Sequence, residues 1–458
     1  MRFGRFRSIH FVGIGGIGMS GIAEILSNYD LEISGCDMSR SEITDRMAGR
    51  GIAVSIGHDP DHLDGIDLVV ISSAVKRDSR EVVAARDRKI PVIRRAEMLG
   101  EIMRLKRGVA VAGTHGKTTT SAMTASVLNA GGLDPMLIVG GVLRDISSSA
   151  KLGSGEFLVV EADEYDRSFL TLHPEIAVVT NIEIDHLDIY DGLEDIQKTF
   201  SEFVSKVPFY GVVVGCSDDD DVENLLTSGA RRALRYGFGE RAEIRGEAVR
   251  VEEGITHFDV TRLGEAVGTL ELLVPGRHNV LNALAATAVG LELEIPFQTI
   301  REGLRSFRGV ERRFEIIGEW NESLVVDDYA HHPTEVRATL EAARETYADR
   351  KLIVVFQPHL FSRTRDFHDG FAEALGIADE AWVTPIYPAR EDPIEGVSSA
   401  LIVDAAQKRG FDGVRFLDRD LPGVVEFLRD HVKERSLLMT MGAGDIYKVS
   451  EDLAGGTA

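Results

Sequence analysis

Cysteine is nearly missing from this 458-residue chain: there are only Cys36 and Cys216, neither with a near neighbour at metal-binding spacing. Two such residues cannot build a disulfide framework, so a reducing, cytoplasmic setting is expected. Basic charge is also short, with 51 Lys and Arg against 74 Asp and Glu and a net charge of −23. That balance disfavours broad binding to nucleic acid or to an anionic membrane, and it requires any anionic ligand to be held by local devices. No apolar run reaches the roughly 20 residues that span a bilayer. The opening MRFGRFRSIHFVGIGG begins like a signal peptide, but its apolar part is Gly-rich and lacks an A-x-A-like site, so it reads as a first strand. Low-complexity segments and short-period repeats are absent. What remains is a globular chain with 44% hydrophobic residues, long enough for about three domains.

The first hundred residues alternate short apolar runs (IHFVGI, LEISGCD, IDLVVISSA, PVIRR) with polar helical stretches, the rhythm of βαβ units on a parallel sheet. The pattern restarts near Lys106 with GVAVAG and runs on through FLVVEADE, IAVVTNIEIDHLD and YGVVVGCSDDDD. From Ala242 to Val274 the alternation becomes β-like and suggests a small antiparallel insertion, followed by the turn and Ala-rich helix of PGRHNVLNALAATAVGLELE. A third α/β unit begins around Val310, with a helix that sets Val336, Leu340, Ala343 and Tyr347 on one face. The expected fold is therefore three consecutive α/β domains over residues 1–106, 107–309 and 310–458: Rossmann-like, P-loop and Rossmann-like.

Two glycine loops carry the strongest signals. GIGGIGMSG fits G-x-G-x-x-G at Gly13, Gly15 and Gly18, follows an apolar run, and has Asp37 about where a dinucleotide fold places its ribose-binding acid. Alone it suggests NAD. GTHGKTTT, Gly113 to Thr120, lies between a buried-strand run and a helix: backbone N–H groups there can face phosphate, Lys117 can bridge terminal phosphates, and Thr118 or Thr119 can ligate Mg²⁺. It departs from the strict P-loop pattern, since Val111 stands where the first Gly belongs. Among the acids of FLVVEADEYD, Glu161 is preferred to Asp163, Glu164 and Asp166 because it sits at the strand end. His186 in IEIDHLD has a similar position, and with Glu161 and a P-loop hydroxyl it makes a plausible Mg²⁺ shell. DDYAHHPTEV gathers carboxylates, a phenol and two imidazoles at a strand end, although His332, before Pro333, equally suits a helix-capping turn. QPHLFSRTRD offers Arg363 as a carboxylate clamp.

With GTHGKTTT, EADE, TNIEIDHLD, GRHNVLNALAA and DDYAHHPTEV in order, the chain resembles the Mur ligases from about Ile9 to Met441. GIGGIGMSG, the spelling DDYAHHPTEV and QPHLFSRT point to the member that adds L-alanine to UDP-N-acetylmuramate. The resemblance implies ATP on Gly113, Thr114, His115, Gly116, Lys117, Thr118 and Thr119, with adenine near His278 and Asn279. It implies Mg²⁺ on Thr118, Glu161 and His186, and the UDP-sugar on Gly15, Gly16, Ile17, Gly18, Met19, Asp37, His58 and Ser72. L-alanine would meet Tyr329, His331 and Arg363, with His359 and Arg313 nearby. Lys117, Glu161, His186, His331 and Arg363 would then form the catalytic set, His331 as candidate base by type and position. The expected chemistry is an acyl phosphate attacked by an amine, in peptidoglycan precursor synthesis, with no nucleic-acid or membrane partner, a monomeric or homodimeric state, and domains that close on both nucleotides. Three other readings compete: a ligase that recycles murein peptides, an NAD-dependent oxidoreductase with an added P-loop domain, and a catalytically dead sensor of cell-wall precursors.

Overall fold

The computed structural model describes residues 4–72, 74–76, 78–144, 148–187, 189–389, 391–433 and 435–455. The chain divides into two compact units, one of Met1–Ala248, Phe258–Glu271 and Leu281–Arg308, the other of Val249–His257, Leu272–Val280 and Gly309–Ala458. Among the described residues no helix is long and apolar enough to cross a membrane.

The first unit opens with β1 (Ser8–Val12), α1 (Ile17–Ser27), β2 (Glu32–Asp37), α2 (Glu42–Gly49), β3 (Ala53–Ile56), β4 (Leu68–Ile71), α3 (Arg80–Asp87), β5 (Val92–Arg94) and α4 (Arg95–Met103). The strands pair in parallel in the order β3-β2-β1-β4-β5. Both faces of central β1 are covered, so all five of its residues are buried, polar Ser8 and His10 included. Edge strand β3 escapes the sequence reading because it is a short, half-exposed AVSI with no such run. Strand order reverses between β1 and β4, the switch point at which open α/β sheets bind ligands. Gly13 and Ser72 face each other there: a Cβ on Gly13 would lie 3.0 Å from Ser72 Oγ.

The unit continues with β6 (Arg107–Ala112), α5 (Lys117–Ala130), β7 (Met136–Leu143), β8 (Ser148–Lys151), β9 (Phe157–Glu161), β10 (Ile176–Val179), α6 (Leu193–Ser205), β11 (Val212–Cys216), α7 (Asp220–Ser228) and β12 (Ala233–Gly237). Beyond these come β13 (Ile244–Glu252), β14 (Ile255–Arg262), β15 (Glu265–Leu272), α8 (Arg277–Glu292) and α9 (Phe297–Ser306). Ten strands form one sheet, β15-β14-β13-β12-β11-β10-β6-β9-β7-β8. The segment expected to be a small antiparallel insertion supplies β13, β14 and β15, which extend this sheet beyond β12. Its two-residue turns, Glu253–Gly254 and Leu263–Gly264, have positive φ at both positions, the geometry that suits tight hairpins. Helix α1 packs on the β7–β8 hairpin, where Ser148 Oγ donates to buried Glu24 Oε2 at 2.9 Å and Ser149 Oγ to the Ile17 carbonyl at 3.1 Å.

In the second unit, β16 (Glu315–Trp320), β17 (Ser323–Asp328), α10 (Pro333–Thr346), β18 (Lys351–Phe356), α11 (Phe361–Leu375), β19 (Glu380–Val383), α12 (Ala400–Lys408), β20 (Val414–Phe416), α13 (Leu421–His431), β21 (Ser436–Met441) and α14 (Tyr447–Gly455) build a sheet ordered β16-β17-β21-β18-β19-β20. Only β16 runs antiparallel to its neighbour. Along β18, Leu352, Val354 and Phe356 join one core while Ile353 and Val355 join the other, so KLIVVF serves two helical layers at once. The α/β class expected for the whole chain is the class observed.

Candidate active site

Strand β6 delivers the GTHGKTTT loop to the middle of the ten-stranded sheet, between the ends of β9 and β10. Gly113 has φ +135° and a Cβ there would lie 2.0 Å from Thr180 Oγ1, so only glycine fits. Gly116, left-handed at φ +80°, precedes α5. Asn181, just beyond β10, fixes the loop by accepting the His115 N–H at 2.8 Å through Oδ1 and the Thr114 N–H at 3.1 Å through its carbonyl. Asn282 accepts from Thr120 Oγ1 at 3.0 Å, across a sequence separation of 162 residues.

Parallel pairing sets Val111 opposite Glu161, which brings the β9 carboxylate beside the loop. Thr118 Oγ1 donates to Glu161 Oε2 at 2.8 Å, and the Gly140 N–H donates to the same oxygen at 2.7 Å. Lys117 Nζ donates to the Gly113 and Thr114 carbonyls at 2.7 and 3.0 Å and to Glu164 at 2.9 and 3.1 Å. Burial alone would lower the Lys117 pKa, but Glu164, Asp163 and Glu161 outweigh it and hold the ammonium charged. Glu164 is itself buried, and desolvation pushes its pKa up to about 7 despite the attraction of Lys117. His186, at φ +54°, sets Nε2 3.7 Å from Glu164 Oε1 and 3.8 Å from Asp185 Oδ2. Of the three groups expected to share a metal, Thr118 and Glu161 thus touch directly, whereas His186 lies beside Glu164, the partner of Lys117 that the sequence ranks below Glu161.

A cleft of about 670 Å³ lies along the ends of β4 and β5 and is lined by Ser72, Arg86, Arg94, Arg95, Asp163 and Arg167, among others. A second cavity, of about 210 Å³, connects Gly18 and Arg95 with Gly140, Glu161 and Asp163. Arg94 Nη1 meets Asp166 Oδ2 at 2.6 Å, and Arg167 meets Asp195 at 2.5 Å while lying over the Tyr190 ring. In the Gly13–Gly18 loop, the Gly15 N–H donates to Asp37 Oδ2 at 2.8 Å, so the expected ribose acid braces the loop itself. His58 is engaged by Glu81 Oε2 at 2.9 Å and Cys36 Sγ at 3.3 Å.

In the second unit, Tyr329, His331 and Arg363 follow β17 and β18, whose ends are parallel neighbours of β21. His331 Nδ1 lies 3.1 Å from the Tyr329 carbonyl and 3.2 Å from Glu335 Oε2, its ring 6.2 Å from that of His359. Arg363 Nη1 lies 3.5 Å from His359 Nδ1, and Arg313 lies over the Tyr329 ring and 3.5 Å from Glu335. Burial and Arg313 lower the His278 pKa to about 4, so this imidazole is neutral near pH 7. Asn279 Nδ2 donates to the Pro275 carbonyl at 2.7 Å. His332 caps α10 by accepting the Thr334 N–H, the alternative its place before Pro333 allowed.

Three family models cover the chain: Mur ligase family, catalytic domain at residues 8–107, Mur ligase middle domain at 111–290, and Mur ligase, glutamate ligase domain at 312–444. A UDP-N-acetylmuramate–L-alanine ligase of Geobacter sp. (strain M21) is 49% identical over 452 residues, 98% of each chain. The chain belongs to the Mur ligase family. A like-named protein of Salinibacter ruber is also 49% identical, over 98% of this Mur ligase and 94% of its own length. Among solved structures, a UDP-N-acetylmuramate–alanine ligase of Thermotoga maritima matches 98% of both chains at 31% identity, with a TM-score of 0.83. A murein peptide ligase of Psychrobacter arcticus matches 99% of both at 26% identity and a TM-score of 0.72.

In this Mur ligase the sequence ranks Glu164 below Glu161 and does not single out Asn282 or the cleft arginines. PVIRR reads as a strand by its apolar run, and its two adjacent arginines at a strand end in so acidic a chain are a usable sign of an anion site. Asn282 had no such local sign.

Proposed function

We propose that this chain joins L-alanine to the lactyl carboxylate of UDP-N-acetylmuramate, using ATP and passing through an acyl phosphate, in peptidoglycan precursor synthesis. The observation that carries the reading is the meeting of two devices in one unit: a P-loop with Lys117, Thr118 and Glu161, and an arginine-lined cleft whose neighbouring cavity reaches Glu161. The full-length likeness to L-alanine ligases supports the choice of substrates.

On this reading the domains run over residues 1–106, 107–309 and 310–458. The UDP-sugar takes the Gly15–Met19 loop, Asp37 and Ser72, with Arg94, Arg95 and Arg167 as added anion partners. ATP takes Gly113 to Thr119, and its terminal phosphates compete with Glu164 for Lys117. The Thr118 hydroxyl and Glu161 carboxylate, hard oxygen donors already in contact, fit Mg²⁺, with His186 in the outer part of the site. A bound Mg²⁺ would supply neutralisation of charge between two anions.

A carboxylate is a poor acyl donor, so one lactyl oxygen attacks the γ-phosphorus, an O–P bond forms, the bond to the β-phosphate oxygen breaks, and ADP leaves. Lys117 stabilises the charge spread over the transferring group. The neutral amine of L-alanine then attacks the acyl carbon, a tetrahedral intermediate collapses, and phosphate departs as the amine proton is lost. Tyr329, His331 and Arg363 are the proposed alanine-binding set, with His359 and Arg313 behind them. Discrimination against glycine rests on one methyl group, worth only about 1–3 kcal/mol in an apolar pocket.

The test is an acceptor screen with ATP and UDP-N-acetylmuramate, read as phosphate release. Release that requires both the UDP-sugar and L-alanine is the expected outcome. Preference for a murein tripeptide would move the assignment to the recycling ligase, and release without any acceptor would overturn it.

A further inference from the structure

A second cluster of ligating side chains lies on the far face of the first sheet, built by four separate elements. His10 comes from β1, Cys36 from β2, His62 from a one-turn 3₁₀ segment (Pro60–Leu63), and Glu81 from the first turn of α3. One donor atom from each lies within 4.8 Å of every other. Cys36 Sγ is 3.1 Å from Glu81 Oε2, His62 Nδ1 is 2.7 Å from Glu81 Oε1, and His10 Nε2 is 3.9 Å from Glu81 Oε1.

We propose that His10 Nε2, Cys36 Sγ, His62 Nδ1 and the Glu81 carboxylate form a closed site for a borderline divalent transition metal, with Zn²⁺ the ion that suits the donors best.

Three observations carry this beyond proximity. His10 is 2% exposed and its Nε2 has no hydrogen-bond partner, a condition that buried polar atoms rarely tolerate. Its Nδ1 lies 2.8 Å from Ser34 Oγ; with the ring proton donated there, a lone pair on Nε2 points into the cluster, the usual arrangement of a ligating imidazole. Glu81 and Cys36 are both fully buried, and the ion-pair partners of Glu81 among the described residues are His10, His58 and His62, with no Lys or Arg. A divalent ion with one thiolate and one carboxylate gives a neutral site, which removes the cost of the isolated buried charge. Sulfur and two imidazoles exclude Mg²⁺ and Ca²⁺ in favour of Zn²⁺-like ions. Uptake releases the Cys36 thiol proton to solvent. His58, 2.9 Å from Glu81 Oε2, acts as an outer partner that orients the carboxylate.

Four protein ligands leave no open position, so the role is structural. The Cys36 carbonyl accepts the Gly13 and Ile14 N–H groups at 2.8 and 3.0 Å, so an ion on Cys36 also fixes the root of the first glycine loop.

The test uses the full chain, stripped with a chelator and titrated with Co²⁺ without nucleotide. One equivalent is expected to give a thiolate-to-cobalt charge-transfer band that Zn²⁺ abolishes; the oxygen donors around Thr118 cannot give such a band. Cys36→Ser should remove it and Cys216→Ser should keep it. Ser34→Ala should weaken Zn²⁺ binding by about 10-fold to 100-fold, and His62→Gln, which removes a ligand, should weaken it further; both spare the buried thiol and carboxylate, so the circular dichroism of the fold is retained. Absence of the band in the parent chain, its persistence in Cys36→Ser, or unchanged Zn²⁺ affinity in folded His62→Gln would each overturn the site.

Discussion

The two glycine loops of the first unit follow the same plan, strand to turn to helix N-terminus, yet they are braced in opposite ways. In the Gly13–Gly18 loop the bracing charge is one carboxylate: Asp37 accepts the Gly15 N–H, and the cations gather across the cleft on Arg94 and Arg95. In the Gly113–Gly116 loop the charge is carried inside, by Lys117 folded back on two loop carbonyls and on Glu164. The first arrangement suits an anion that is held and left unchanged. The second suits one whose charge moves during reaction, because its cation can shift from a protein carboxylate to a phosphate without being brought out of water. A glycine fingerprint therefore reports a phosphate, and the side chains that brace it report what happens to that phosphate.

The largest break in this contrast should come from Lys117→Ala. Steady-state phosphate release is expected to fall by about 10²-fold to 10³-fold in kcat, while UDP-sugar binding, measured by calorimetry, changes little. Alanine at the two loops should separate them next. Gly113→Ala combines a left-handed backbone with a 2.0 Å clash on Thr180, and should cost about 2–3 kcal/mol in urea unfolding. Gly15→Ala meets side-chain ends alone, Asp37 Oδ2 at 2.7 Å and Thr44 Cγ2 at 3.2 Å, and should cost nearer 1 kcal/mol, seen mainly as a raised KM for the UDP-sugar.

A pH series sharpens the same comparison. The folded pKa of Glu164, about 7, exceeds its ordinary value of 4.5, so its contribution to stability is fully present below pH 4.5 and is lost as pH rises through 7. Relative to Glu164→Gln, the parent chain should therefore lose stability between pH 5 and pH 8, by on the order of 2 kcal/mol in denaturant titrations. An unchanged difference would mean that the Lys117–Glu164 pair is not the buried, costly contact described here. An effect no larger than that of Gly15→Ala is expected from Asp37→Asn, which keeps a carbonyl acceptor for Gly15: a loss of about 1 kcal/mol in UDP-sugar binding, with ATP binding unmoved.

Much of this was legible in the residues. Continuous apolar runs mark β6, β9 and β18 because both faces of those strands are covered, and GTHGKTTT marks its turn because Gly113 admits no side chain. Edge strand β3 and the β7–β8 hairpin are less legible, since half-exposed or glycine-broken strands carry no such run. Within the site, Glu161 stood out by its strand end, whereas Glu164 looked like one acid in a solvated loop. It is buried because the chain turns back through left-handed Asp166 and Arg167, and the Tyr190 hydroxyl holds its carbonyl at 2.6 Å. That turn has no local sequence signal. Neither has the meeting of Cys36 with His10, His62 and Glu81, since metal spacing rules see only near neighbours.

The central claim is that the phosphate held by Lys117 passes to the carboxylate of the sugar bound beside the first loop. Oxygen transfer tests it most directly: UDP-N-acetylmuramate labelled with ¹⁸O in both lactyl carboxylate oxygens is turned over with ATP and L-alanine, and the released phosphate is examined by mass spectrometry. An acyl phosphate requires one labelled oxygen in each phosphate and one in the amide product. Unlabelled phosphate, formed at the same rate as the amide, would contradict the account.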